Sequence, residues 1–100
     1  MKQVQYRSAV LAIRKACRKN GIEFEERGAR GGGSHGSWYF TGSDGKPVRL
    51  VVSHGKEISP GVQRSALCYL TDRMVDGTVR EANKELMETL FEILKAAFGG

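Results

Sequence analysis

The chain contains two histidines, His35 and His54, and each stands in a setting that suits proton transfer. Imidazole titrates near neutrality, so it can take or give a proton at cellular pH. His35 lies in "GARGGGSHGSWYF", residues 28–40, where the neighbouring glycines let the backbone of a ligand approach closely. Arg27, Arg30 and Ser34 stand beside it, and Lys46, Arg49 and Lys56 follow; these are the side chains that hold phosphate. Cleaving RNA asks for a base at the 2′-OH, stabilisation of charge on the phosphorane, and an acid for the leaving oxygen. One histidine beside several cations meets the first two requirements, and the scheme needs no metal or cofactor. The plain alternative is a loop histidine with no role. His54 closes the run "VVSHGKE" and is either a second proton-transfer group or, better supported by its expected face, a structural or RNA-positioning residue.

The elements that position these residues follow from periodicity. Residues 3–19 read as a helix, with Tyr6, Val10, Ile13 and Cys17 on one stripe and Arg7, Arg14 and Arg18 on its flank. Asn20-Gly21 supplies its stop. Ile22 to Glu26 alternates as a half-buried strand. "SWYFTG" and "PVRLVVS" flank "SDGK" and read as a hairpin. A two-residue Asp44-Gly45 turn would set His35 opposite His54 but would mix apolar and polar faces. A three-residue Ser43-Asp44-Gly45 loop with Gly45 left-handed pairs Trp38 with Leu50, Phe40 with Val48, Gly36 with Val52 and His35 with Ser53. That register collects the large apolar residues on one face, and it directs the two histidines to opposite faces. Trp38 and Phe40 are then core and Tyr39 is exposed, on a face that Glu23 and Glu25 make less attractive to RNA.

Residues 58–75 form a second helix, capped by Ser59 with Pro60 at its first position and with Leu67, Leu70 and Met74 as its stripe. Thr78 and Glu81 make a capping box for a third, in which Val79, Ala82, Leu86, Leu90, Ile93 and Ala97 form the seam. Met87, Phe91, Leu94 and Phe98 widen that apolar face, which either closes the core or carries a homodimer or partner surface. The order is helix, three strands, helix, helix: an α+β fold resembling a double-stranded-RNA-binding domain, α-β-β-β-α, with an additional C-terminal helix.

Charge is unevenly placed. Residues 1–64 hold 12 Lys/Arg against 5 Asp/Glu, whereas residues 65–100 hold 4 against 6. A basic body suits a polyanionic partner. No apolar run spans a bilayer and no leader-like segment opens the chain, so a cytoplasmic protein without a membrane partner is expected. Cys17 and Cys68 read as small buried hydrophobes; they lack the Cys-x-x-Cys spacing of zinc ligands. No Walker A loop, nucleophile elbow, paired-carboxylate site or dinucleotide fingerprint is present.

"GGSHGSWYF" and "VVSHGKEISPGVQRSAL", in that order, resemble the HicA toxin family of bacterial and phage toxin–antitoxin systems. The shared pattern is Gly-Ser-His before one strand, then a strand ending in His that leads through Lys-Glu to a Gly-containing helix start. It covers about residues 7–72. The resemblance implies a double-stranded-RNA-binding-like fold, metal-independent cleavage of mRNA, a catalytic His35 and a HicB-like antitoxin that masks it. On this reading residues 1–76 are the RNA-cleaving domain and residues 78–100 the added helix. A non-catalytic RNA-binding module, or an interaction protein acting through the last helix, is the competing expectation.

Overall fold

The computed structural model describes residues 2–27, 35–43, 45–75 and 81–99, with backbone alone at 35, 72–75 and 81–83. Its elements are β1 (Val4–Gln5), α1 (Tyr6–Lys19), β2 (Glu23–Arg27), β3 (His35–Thr41), β4 (Pro47–Ser53), β5 (Glu57–Ile58), α2 (Pro60–Val75) and α3 (Glu81–Ala97).

α1 buries Ala9, Val10, Ile13 and Cys17, the stripe that its helical spacing predicts. It stops where expected. Asn20 Nδ2 donates to the Ala16 carbonyl at 2.8 Å, Ile22 N–H returns to Cys17 at 2.9 Å, and Gly21 takes φ +67°. A left-handed residue at this position satisfies the last carbonyls of a helix without strain on glycine. The start differs from expectation. Residues 4 and 5 leave the helix to form β1, which pairs antiparallel with β5 through Val4↔Ile58 and Gln5↔Glu57. Two-residue strands have no period to read, and here long-range contacts decide. Tyr6 N–H donates to the Lys56 carbonyl at 2.9 Å, and the buried Gln63 amide donates to the carbonyls of Lys2 and Ile58 at 2.7 and 3.0 Å.

The main sheet has the order β2-β3-β4, antiparallel throughout. The β3–β4 register is that of the three-residue loop: Trp38↔Leu50, Phe40↔Val48, Gly36↔Val52 and His35↔Ser53. Gly45 sits at φ +75° and its N–H reaches the Gly42 carbonyl at 3.2 Å, the geometry this turn requires; Asp44 lies outside the described residues. One sheet face is therefore apolar. Trp38, Phe40 and Val52 are fully buried there, beside Val48 and Leu50.

α1 and α2 cover that face, α1 beside β2 and α2 beside β4, and α3 packs across both helices. Ser59 Oγ accepts from Val62 N–H at 3.2 Å at the start of α2, the cap expected of it. Leu67 and Leu70 of α2 are buried. Leu86, Met87, Leu90, Ile93, Leu94 and Phe98 join the same apolar core, and Phe91 and Ala97 pack against it. Thr78 and Val79, and the side chains of Met74, Glu81 and Ala82, lie outside the described residues. Each fully buried Leu, Ile or Phe in such a core contributes about 1.5–3 kcal/mol relative to exposure. Among the described residues the fold is thus an α+β domain with three helices and antiparallel sheets.

The cysteines part company. Cys17 is buried and burial pushes its thiol up to about 11, whereas Cys68 is exposed rather than buried. Cys68 lies on α2 next to the inward-facing Leu67, and neighbouring helix positions point about 100° apart, so one position's turn carries it to the surface. Among the described residues no helix is long and apolar enough to cross a membrane.

Candidate functional site

His35 opens β3 opposite Ser53, at the sheet end where β2 finishes with Arg27 opposite Ser37. Strand alternation places position 35 in the series of Ser37 and Tyr39, on the face that carries no helices. Its side chain, and all of Arg30 and Ser34, lie outside the described residues. Arg27, Ser37, Tyr39 and Arg49 build the rest of that face. Two guanidinium groups lie near the Tyr39 ring: that of Arg27 is 4.5 Å from its centroid and that of Arg49 is 6.0 Å away. Arg49 Nη2 also donates to Ser37 Oγ at 3.4 Å. Arg27 Nε donates to Glu25 at 2.8 Å and holds that carboxyl below its ordinary range. Both members are exposed, and such pairs bind weakly. Glu25 thus has its charge matched by Arg27, while Glu23 stands two residues further along the strand.

The other expected phosphate-holding residues separate. Lys46 sits in the β3–β4 turn, beyond the far end of β3. Six residue steps along β3 divide His35 from Thr41, about 20 Å at strand spacing, so Lys46 does not join the His35 end. Lys56 lies in the loop that leads into β5, beyond Ser53, the partner of His35, and its carbonyl receives Tyr6 N–H.

His54 lies one residue beyond β4 and belongs to a cluster that periodicity did not reveal. Its ring stacks flat on Tyr6, with centroids 3.5 Å apart and planes 6° from parallel. His54 Nδ1 lies 2.9 Å from the Gly55 carbonyl. A carbonyl only accepts, so Nδ1 is the donor of this bond, and the other ring nitrogen is Nε2. That nitrogen lies beside Gly36: a Cβ there would stand 3.1 Å from it and 3.4 Å from Tyr6 Oη. Glycine at 36 is what lets the ring approach. Tyr6 in turn donates to the Glu26 carboxylate and accepts from Trp38 Nε1 at 3.1 Å. The signal for this cluster was present in part. Tyr6 began the α1 stripe, but a pattern of burial gives no hint that its hydroxyl finds a carboxylate twenty residues away.

Burial first, and then the hydrogen bond to Glu26, pushes the Tyr6 phenol from its ordinary 10.0 up to about 12. The folded state therefore favours the neutral phenol. The resulting stability is present below pH 10.0 and is lost as pH rises toward about 12. Tyr6→Phe is expected to cost about 1–2 kcal/mol at neutral pH, since it strands the buried Trp38 donor and removes the bond to the exposed Glu26. The gap between the two proteins should shrink in strong alkali. Urea denaturation of both, near neutrality and in that alkaline range, checks this; a constant gap would mean that Tyr6 does not titrate with folding.

The described residues therefore form two groups at one end of the sheet. An open face carries two guanidinium groups around an aromatic ring, with a histidine position at its border. On the helix side, His54, Tyr6, Trp38 and Glu26 tie the ends of β2, β3 and β4 to the start of α1. Among the described residues no three of His, Cys, Asp and Glu converge as metal ligands. No protein-family model, curated protein or solved structure matches the chain.

Proposed function

We propose that this protein is an RNA endonuclease toxin of the HicA type, which cleaves mRNA in the cytoplasm without a metal and is held in check by a HicB-like antitoxin. His35 is its general acid/base. Arg27 and Arg49 hold phosphate, with Lys56, Arg30 and Ser34 as further RNA contacts, and Tyr39 offers a ring to a base. His54 positions rather than reacts: its ring is committed to Tyr6 on the helix side of the sheet. The observation that carries the reading is the place of residue 35. It opens β3 in the same alternating series as Ser37 and Tyr39, at the border of the face where two arginines flank Tyr39. The helix, three strands and helix, with the helices on one sheet face, fit a double-stranded-RNA-binding-like arrangement, to which α3 is an addition.

The direct test is incubation of pure protein with a long RNA in EDTA, expecting discrete cleavage. RNA left intact, with binding retained, would favour the second reading, a non-catalytic RNA-binding module. The group of Arg27, Tyr39 and Arg49 supports that reading equally, since an aromatic ring beside cations binds single strands without chemistry.

Affinity should also report on the cations. Three neutralised phosphates, at Arg27, Arg49 and Lys56, predict that log affinity falls with log salt at a slope of about −2 for single-stranded RNA. Fluorescence anisotropy across a salt series measures it, and a flat response would remove these side chains from the interface.

A further inference from the structure

Self-association was expected, if anywhere, on α3. Its apolar residues Leu90, Leu94 and Phe98 are instead consumed by the chain's own core. Of the two edge strands, β2 carries Glu23, Glu25, Glu26 and Arg27, and the less guarded pairing surface is the outer edge of β4. The order β2-β3-β4 gives β4 one neighbour, and among the described residues nothing pairs with its other side. Natural edge strands are guarded by charge, proline or a bulge. β4 has Pro47 at its first residue and a single charge, Arg49. That guanidinium is turned inward, toward Ser37 and Tyr39 on β3, and leaves the edge unguarded. What the edge presents is Val51, 60 % exposed. Beside it runs a groove between β4 and α2, lined by Val51, Ser53, Val62, Ser65, Ala66 and Tyr69.

We infer that this edge pairs with β4 of a second copy of the chain, antiparallel about a twofold axis at Leu50. The strand is self-complementary in that register. Leu50 meets Leu50, Val48 meets Val52, Arg49 meets Val51, and Pro47 meets Ser53. No like charges face each other, and the aliphatic stem of Arg49 covers the exposed Val51. Directly opposed residues point to the same side of a sheet, so both helical layers lie on one face of a continuous six-stranded sheet. The two α2 helices then run side by side, and the small and apolar residues of the groove permit their close approach. A twofold pairing uses the same β4 edge of both copies, and the edges left over, those of β2, are guarded by Glu23, Glu25, Glu26 and Arg27, so it gives a dimer and not a filament.

The test is sedimentation equilibrium of the full chain, free of RNA, across micromolar concentrations. A dimer is expected. Val51→Lys and Tyr69→Lys, both at exposed positions, should each raise its dissociation constant by about 100-fold or more, because each places a charge against the twofold partner. Circular dichroism of the variants should match the wild type. Because each chain carries net charge +5, added salt should tighten the dimer. In a Cys68→Ser background, a mixture of Arg49→Cys and Val51→Cys chains should cross-link faster than either chain alone. A monomer at every concentration overturns the inference. So does a dimer indifferent to both lysines, a dimer that salt dissolves, or cross-linking without preference for the mixed pair.

Discussion

His35→Ala is expected to lower the rate of RNA cleavage by about 10²–10⁴-fold, the usual contribution of a positioned acid or base. RNA affinity should change little, because the phosphate grip resides in Arg27, Arg49 and Lys56. His54→Ala should cost far less, about tenfold, since it loosens the packing against Tyr6 and Gly36 without removing the reacting group. The measurement is single-turnover cleavage of one long RNA in EDTA, for the wild type and both variants. The ranking matters more than the magnitudes. If His54→Ala abolished cleavage and His35→Ala did not, the reacting imidazole would be the one stacked on Tyr6, with its Nε2 beside Gly36. If both variants cut as fast as the wild type, no histidine would be the acid or base.

Trp38→Ala should be the most damaging substitution to the fold. The indole is fully buried, its ring meets Phe24 edge-on at 6.1 Å, and it lies 6.0 Å from Tyr6. Removing a buried Trp costs about 3–5 kcal/mol. A small domain holds about 5–15 kcal/mol in total, so a large share of the stability should go. Trp38→Phe keeps most of the buried surface but leaves Tyr6 Oη without its indole donor, and should cost much less. Chemical denaturation followed by circular dichroism separates the two. A loss below about 1.5 kcal/mol for Trp38→Ala would be incompatible with full burial. Because Trp38 also holds Tyr6, and Tyr6 holds Glu26 and His54, this variant should loosen the sheet end where His35 begins β3.

Sequence patterning alone determined more here than the modest size of the chain suggests. Alternation in "SWYF" and "VRLVV", together with the demand of a Gly45 turn, was enough to specify the β3–β4 register residue by residue. The reason is that a one-residue slip would have moved Trp38 and Phe40 to the open face. Helix periods and end signals placed α1 and α2, since Gly21 and Ser59 act locally through backbone geometry and a single hydrogen bond. Tertiary structure decided what no local pattern encodes. It made residues 4 and 5 a strand, because β5 and Gln63 claim that backbone from across the chain. It also drew Tyr6, Glu26, Trp38 and His54, which lie on four separate segments, into one network. Periodicity reports which side of an element meets the core; which polar atoms meet there depends on how the elements are docked, and that is settled only when the chain closes on itself.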